Sequence, residues 1–199
     1  MPQQITLKAR IMEHTDNSGL IKYTMTHGAY LGVALIILHL IFYFTKMVNT
    51  SISMVFIPSL LFMGVFIIGI VYASKKYRDH FLDGYINYRT ALYCGVLVSL
   101  FSGIIYGFYY YIFNGFIDTG YYGSTLTAFQ KTITQFMLTY KLPDDQIERQ
   151  LSVFKSPIPS AFDMSMSKIM ATTFFGLLLS LVTSAFIKKE QNLFSDNLK

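Results

Sequence analysis

Ala91-Leu-Tyr-Cys-Gly95-Val-Leu-Val-Ser99-Leu-Phe-Ser-Gly103-Ile-Ile-Tyr-Gly107 is the stretch that decides the fold. Every fourth residue is small: Ala91, Gly95, Ser99, Gly103 and Gly107 form a ridge down one face of an otherwise apolar, aromatic segment. In water such a helix would be poor, because each interior Gly costs about 1 kcal/mol relative to Ala. In a bilayer the ridge has a purpose. Lipid gives no hydrophobic reward for helix association, so small residues that permit close backbone approach become the contact surface.

The composition agrees with that setting. Of 199 residues, 53% are hydrophobic and 14% charged, against about 25% charged in average soluble domains. Mean hydropathy is +0.43. The aliphatic and aromatic content excludes disorder as the main description. The formal net charge is +5, but the basic residues flank apolar runs and form no single stripe. They read as topology signals, and nucleic acid is not expected as a partner. Cys94, the single cysteine, lies inside an apolar segment and reads as a small packing residue.

Working outward, four segments reach the length of about 20 apolar residues needed to cross the hydrocarbon core. The expected spans are about 29–48, 52–73, 90–113 and 169–187. The first follows a polar stretch with no signal-peptide pattern and no myristoylation box, since residue 2 is Pro. Its helix can begin as early as Asn17-Ser18, with Lys22 snorkelling to the interface. Asn49-Thr50-Ser51 then makes a tight antiparallel connection, and Pro58 is expected to kink the second span or mark its start. Ser74 to Arg89 reads as a polar loop, placed in the cytoplasm by its basic residues.

Tyr106, Tyr109, Tyr110 and Tyr111 read as an interfacial collar at the end of the third span. Beyond it, residues 120–156 form a helical insertion. Leu126, Phe129, Ile133, Phe136 and Tyr140 make one stripe, Pro143 ends that helix, and Asp144-Asp145 open another with Ile147, Leu151 and Phe154 on its apolar face. The last span carries a second small ridge, Thr172, Gly176, Ser180 and Ser184, and closes on Lys188-Lys189. The ridge of the third span is expected to pack on that of the fourth.

The segments proposed as inside hold ten Lys and Arg, and those proposed as outside hold six, Lys168 among them. The expectation is therefore a multi-pass protein of the cell (inner) membrane with both termini cytoplasmic. The fold class is all-α: an integral membrane protein with four transmembrane helices and an extracytoplasmic amphipathic helical hairpin between the third and fourth.

The order of these features resembles a known family. A basic loop with Lys76-Tyr77-Arg78-Asp79, then Gly84-Tyr85-Ile86, Ala91 and Gly95, runs into a Gly-rich helix that ends at Phe116-Ile117-Asp118. Ile21-Lys22-Tyr23 precedes the first span, and Lys-Lys closes the last. This is similar to the uncharacterised bacterial membrane proteins grouped as domain of unknown function 4199, over roughly Ser18 to Lys189. The chain departs at Thr119, where Pro is expected after the Ile-Asp pair. The resemblance implies four transmembrane helices and carries no established activity.

Chemistry offers few candidates. His39 is an ionisable residue inside a span, which makes it a polar-site candidate. The alternative is a neutral imidazole hydrogen-bonded to a Ser, Thr or Tyr across the bundle. No Asp or Glu falls in the four expected spans, which weighs against ion-coupled transport. Asp79, His80 and Asp83 read as a solvated loop, with Asp83-Gly84 as its turn, and Asp118 as a helix-end residue. The four histidines match no zinc spacing. No Gly-x-Ser-x-Gly elbow, phosphate loop or dinucleotide fingerprint occurs. No catalytic residue, metal site or cofactor is expected. The function expected is that of a structural or accessory membrane component, not an enzyme. Its partners would be the bilayer and either a further copy of the chain or another membrane protein. The alternative is a subunit of a small-solute transporter or channel working around His39.

Overall fold

The computed structural model describes residues 2–46, 52–152 and 157–189, with side chains from 19 and 56 onward in the first two segments. The Asn49-Thr50-Ser51 connection, Phe154 and the polar tail after Lys189 lie outside the described residues. The described chain is all-helical: α1 (Pro2–Thr45), α2 (Ile52–Phe81), α3 (Tyr88–Ile112), a π-helical turn (Phe113–Ile117), α4 (Tyr121–Thr139), α5 (Asp144–Ser152) and α6 (Ala161–Ile187). Four stretches are long and apolar enough to cross a membrane: Gly19–Thr45, Phe56–Phe81, Tyr88–Ile117 and Ala161–Ile187.

Helix ends follow local chemistry, which is why they outrun the apolar segments. The Ser160 hydroxyl accepts from the Asp163 amide at 3.2 Å and donates to the Asp163 carboxylate at 2.6 Å. This reciprocal cap, just after Pro157 and Pro159, starts α6 at Ala161 instead of Ile169. Lys168 is thereby drawn into the span and does not sit outside it. Asn87 caps α3 by accepting from Thr90 N at 2.8 Å. The region from Ser74 to Arg89 is mostly helix and not a loop: α2 runs on to Phe81. It stops where Gly84, at φ +82°, donates to the Arg78 carbonyl. Ile86 and Lys189 then exchange two backbone hydrogen bonds, and Arg78 reaches the Ile187 carbonyl at 3.2 Å. These contacts tie the end of α6 to the α2–α3 connection.

α3 is the central helix. Half of its apolar window is buried (50%), against 17% for α6, because two helices cover different faces of it. On one face lies α6, its most extensive partner. On the other lies α1, where Gly28 abuts Phe101 and the Val98 carbonyl, and Gly32 abuts Ile105. α2 closes the side, with Leu31 of α1 filling the space at Gly69.

The polarity of this bundle is inverted relative to a protein packed in water. Ser99, Ser102 and Ser180 are fully buried, while Phe44, Ile68, Met170 and Phe186 (85% exposed) face outward. Contiguous apolar surface of that kind needs lipid or protein against it.

The α4 stripe is also re-aimed. Leu126, Phe129 and Ile133 are half-buried, but the stripe continues to buried Met137; Phe136 and Tyr140 point outward, their tilted rings 4.6 Å apart. Phe136 neighbours Met137 about 100° round the helix and is exposed, and Tyr140 lies beyond the end of the helix at Thr139. Ile147 is the buried residue of α5.

Candidate polar site at the α3–α6 crossing

The two small ridges meet. A side chain added at Gly176 would run into Ser99, and one added at Gly95 into Ser180. Each serine therefore sits over the glycine of the opposite helix. Further along, a Cβ on Gly103 would touch Thr172 at 3.3 Å, and one on Gly107 would meet Ile169. Ser165 adds a direct bond, its hydroxyl donating to the Gly107 carbonyl at 2.8 Å. Ala91 and Ser184, at the far end of the two ridges, are both buried. Gly95, Ser99, Gly103, Gly107, Thr172, Gly176 and Ser180 thus lie along one seam. Gly28, Gly32 and Ser165 belong to the packing as well, and the i, i+4 spacing of Gly28 and Gly32 was a readable signal for the first two.

At the end of this seam the bundle gathers its polar interior. His39, 6% exposed, shares a hydrogen bond of 2.8 Å through Nδ1 with the Tyr109 hydroxyl. The rings of Tyr106, Tyr110, Phe113 and Tyr121 surround it edge-on, with centroids between 5.1 and 6.3 Å from its own. Tyr106 and Tyr109 are therefore not part of an interfacial collar. Their spacing of three puts them on the inward face of α3, and Tyr111 alone of the four pairs outward with Phe116.

The π-helical turn completes this cage. Asp118 N reaches back to the Phe113 carbonyl at 2.8 Å, a five-residue step. The Asn114 amide donates to the Tyr110 carbonyl at 3.0 Å. The widened turn buries Phe113 between His39 and Tyr43. Asp118 is more than a helix end: the Tyr43 hydroxyl donates to its carboxylate at 3.1 Å. Burial pushes the Tyr121 phenol above its ordinary value, so it stays protonated at neutral pH.

On the other side of the same tyrosines stands Lys168. Its ammonium lies over the Tyr110 ring at 5.0 Å and the Tyr106 ring at 5.8 Å, a cation–π arrangement that stabilises a partly desolvated charge. It forms no ion pair among the described residues. Sequence reading counted Lys168 as an outside loop charge; its place four residues before Thr172, on the same ridge, was the available clue to an inward position.

The remaining candidates are dispersed. Asp79 pairs with Arg78 at 2.7 Å, and Cys94 is buried and free. Among the described residues no three His, Cys, Asp or Glu side chains are grouped to hold a metal ion.

No curated protein and no solved structure matches the chain. A family model does, described as a protein of unknown function (DUF4199) and matched over residues 26–189, which takes in all four candidate spans but the start of the first. The chain thus belongs to the DUF4199 family, described as proteins of unknown function.

Proposed function

We propose that the protein is a non-enzymatic structural or accessory component of the inner cell membrane, acting through helix contacts and through the α4–α5 hairpin. The observation that carries this reading is how its interior polar groups are used. Ser165 is spent on the Gly107 carbonyl, Tyr23 on the Ala73 carbonyl at 2.9 Å, and His39 on Tyr109. Interhelical bonds of this kind hold membrane helices in one arrangement. The expected partners are the bilayer and either a second copy of the chain or another membrane protein, with no nucleic acid. Purification in mild detergent should bring down such a partner or an oligomer in fixed proportion. A lone monomer from cells in which deletion gives a phenotype would sink the proposal.

The topology proposed with it puts both termini in the cytoplasm and the α4–α5 hairpin outside, supported by the Lys and Arg count. In a Cys94→Ala background, Tyr140→Cys should react with an impermeant maleimide in intact cells. His80→Cys should react only after permeabilisation. The opposite pattern reverses the orientation.

A second reading, a subunit of a small-solute transporter or channel, draws on one observation: His39 and Lys168 flank the same two tyrosines inside candidate spans. If His39→Leu leaves flux and phenotype unchanged, that reading loses its support.

A further inference from the structure

A cavity of about 490 Å³ lies between α2 and α6, a size common among small-molecule sites. Phe62, Met63 and Phe66 of α2 face Phe175 and Leu179 of α6 across it. Leu35 and Tyr106 form its floor. Met63 and Phe175 line it while remaining exposed on the bundle's outer surface, so it opens sideways, where lipid lies.

The lining is graded along the membrane normal. At one end are Lys168 and Ser59; at the other are Phe66 and Leu179. From Lys168 to Leu179 the α6 axis advances about 16 Å, roughly half the hydrocarbon thickness and so the depth of one leaflet. α6 has 27 residues, a length of about 40 Å, which exceeds the core by about 5 Å at each end. Lys168 lies about 10 Å in from Ala161 and hence a few ångströms below the headgroup boundary. A lysine at that depth carries its ammonium up to the boundary. The charge there faces two tyrosine rings and no carboxylate among the described residues.

We propose that this cavity is a selective site for one anionic glycerophospholipid, its phosphate at Lys168 and an acyl chain running down to Phe66 and Leu179. Charge complementarity selects the headgroup, the leaflet-deep apolar slot holds the chain, and the lateral opening admits it from the bilayer. The site is independent of the accessory role proposed above: it names a ligand of the chain itself and needs no protein partner.

The test is native mass spectrometry of the full chain in mild detergent, titrated separately with phosphatidylglycerol and with phosphatidylcholine of the same acyl chains. Phosphatidylglycerol should bind one to one and about fivefold tighter, the advantage one lysine gives near an anionic headgroup. Lys168→Gln should make the two lipids equal, and Lys168→Arg should keep the preference. Ala171→Phe, on the exposed rim of the cavity, should fill it and abolish one-to-one binding of both. Equal affinities in the unaltered chain, a preference that survives Lys168→Gln, or binding that survives Ala171→Phe would each overturn the proposal. Displacement of phosphatidylglycerol by millimolar inorganic phosphate would also overturn it, pointing to a free-anion site.

Discussion

Gly176→Ala should loosen the bundle at its tightest point. The added methyl would occupy the space of both Cβ and Oγ of Ser99, so rotating the serine cannot relieve it and α3 and α6 must separate. Overpacking of that kind costs about 1–3 kcal/mol, and the upper end applies where the obstacle is a Cβ fixed to a helix. Replacing a helical Gly by Ala returns up to about 1 kcal/mol. The net expectation is a loss of about 2 kcal/mol. Gly64 is the matched control: it lies in α2 with nothing within 4 Å of its ideal Cβ, so Gly64→Ala should gain up to about 1 kcal/mol. Reversible unfolding in bicelles or mixed micelles reads both values. Ser99→Gly on top of Gly176→Ala should recover most of the loss, because it vacates the colliding atoms, whereas Ser99→Ala keeps the offending Cβ and should not. A double-mutant cycle isolates this coupling. If Gly176→Ala is as harmless as Gly64→Ala, or if Ser99→Ala rescues as well as Ser99→Gly, the α3–α6 seam is not packed as described.

Three further outcomes follow from local geometry. Ser165→Ala removes the hydroxyl that donates to the Gly107 carbonyl and should cost about 0.6 kcal/mol in the same unfolding assay, the average for interhelical bonds in membranes. Tyr109→Phe leaves the buried His39 Nδ1 without its partner and should cost about 1–3 kcal/mol; in His39→Leu the same change should cost much less, since the pair is already broken. Gly84→Ala places a Cβ in open space but at φ +82°, so its cost, about 1–2 kcal/mol, is purely conformational and should appear as a lowered Tm.

Much of the architecture was legible without coordinates. Apolar length marks a spanning helix whatever it packs against, so four spans emerged. Gly95, Ser99, Gly103, Gly176 and Ser180 at four-residue spacing marked surfaces made for close approach. Sequence periodicity of that kind is a property of one helix and needs no neighbour to be read. Helix ends were less legible, because they depend on caps such as Ser160 with Asp163 and on the positive φ at Gly84, and hydropathy is blind to both.

What tertiary structure alone decided is which face of α3 meets which helix and which polar groups thereby become neighbours. A tyrosine at a span end suits the headgroup layer and a bundle interior equally well. Only the rotation of α3 against α1 and α6 turned Tyr106 and Tyr109 inward onto His39. Lys168, too, looks like a loop charge in a string of letters. It became the cation lining the cavity between α2 and α6, among the described residues, because α6 begins two turns early and carries it past Tyr106 and Tyr110. Contacts between α1, α3 and α6 join residues as far apart as His39, Tyr109 and Lys168, and no local pattern encodes a meeting at that separation.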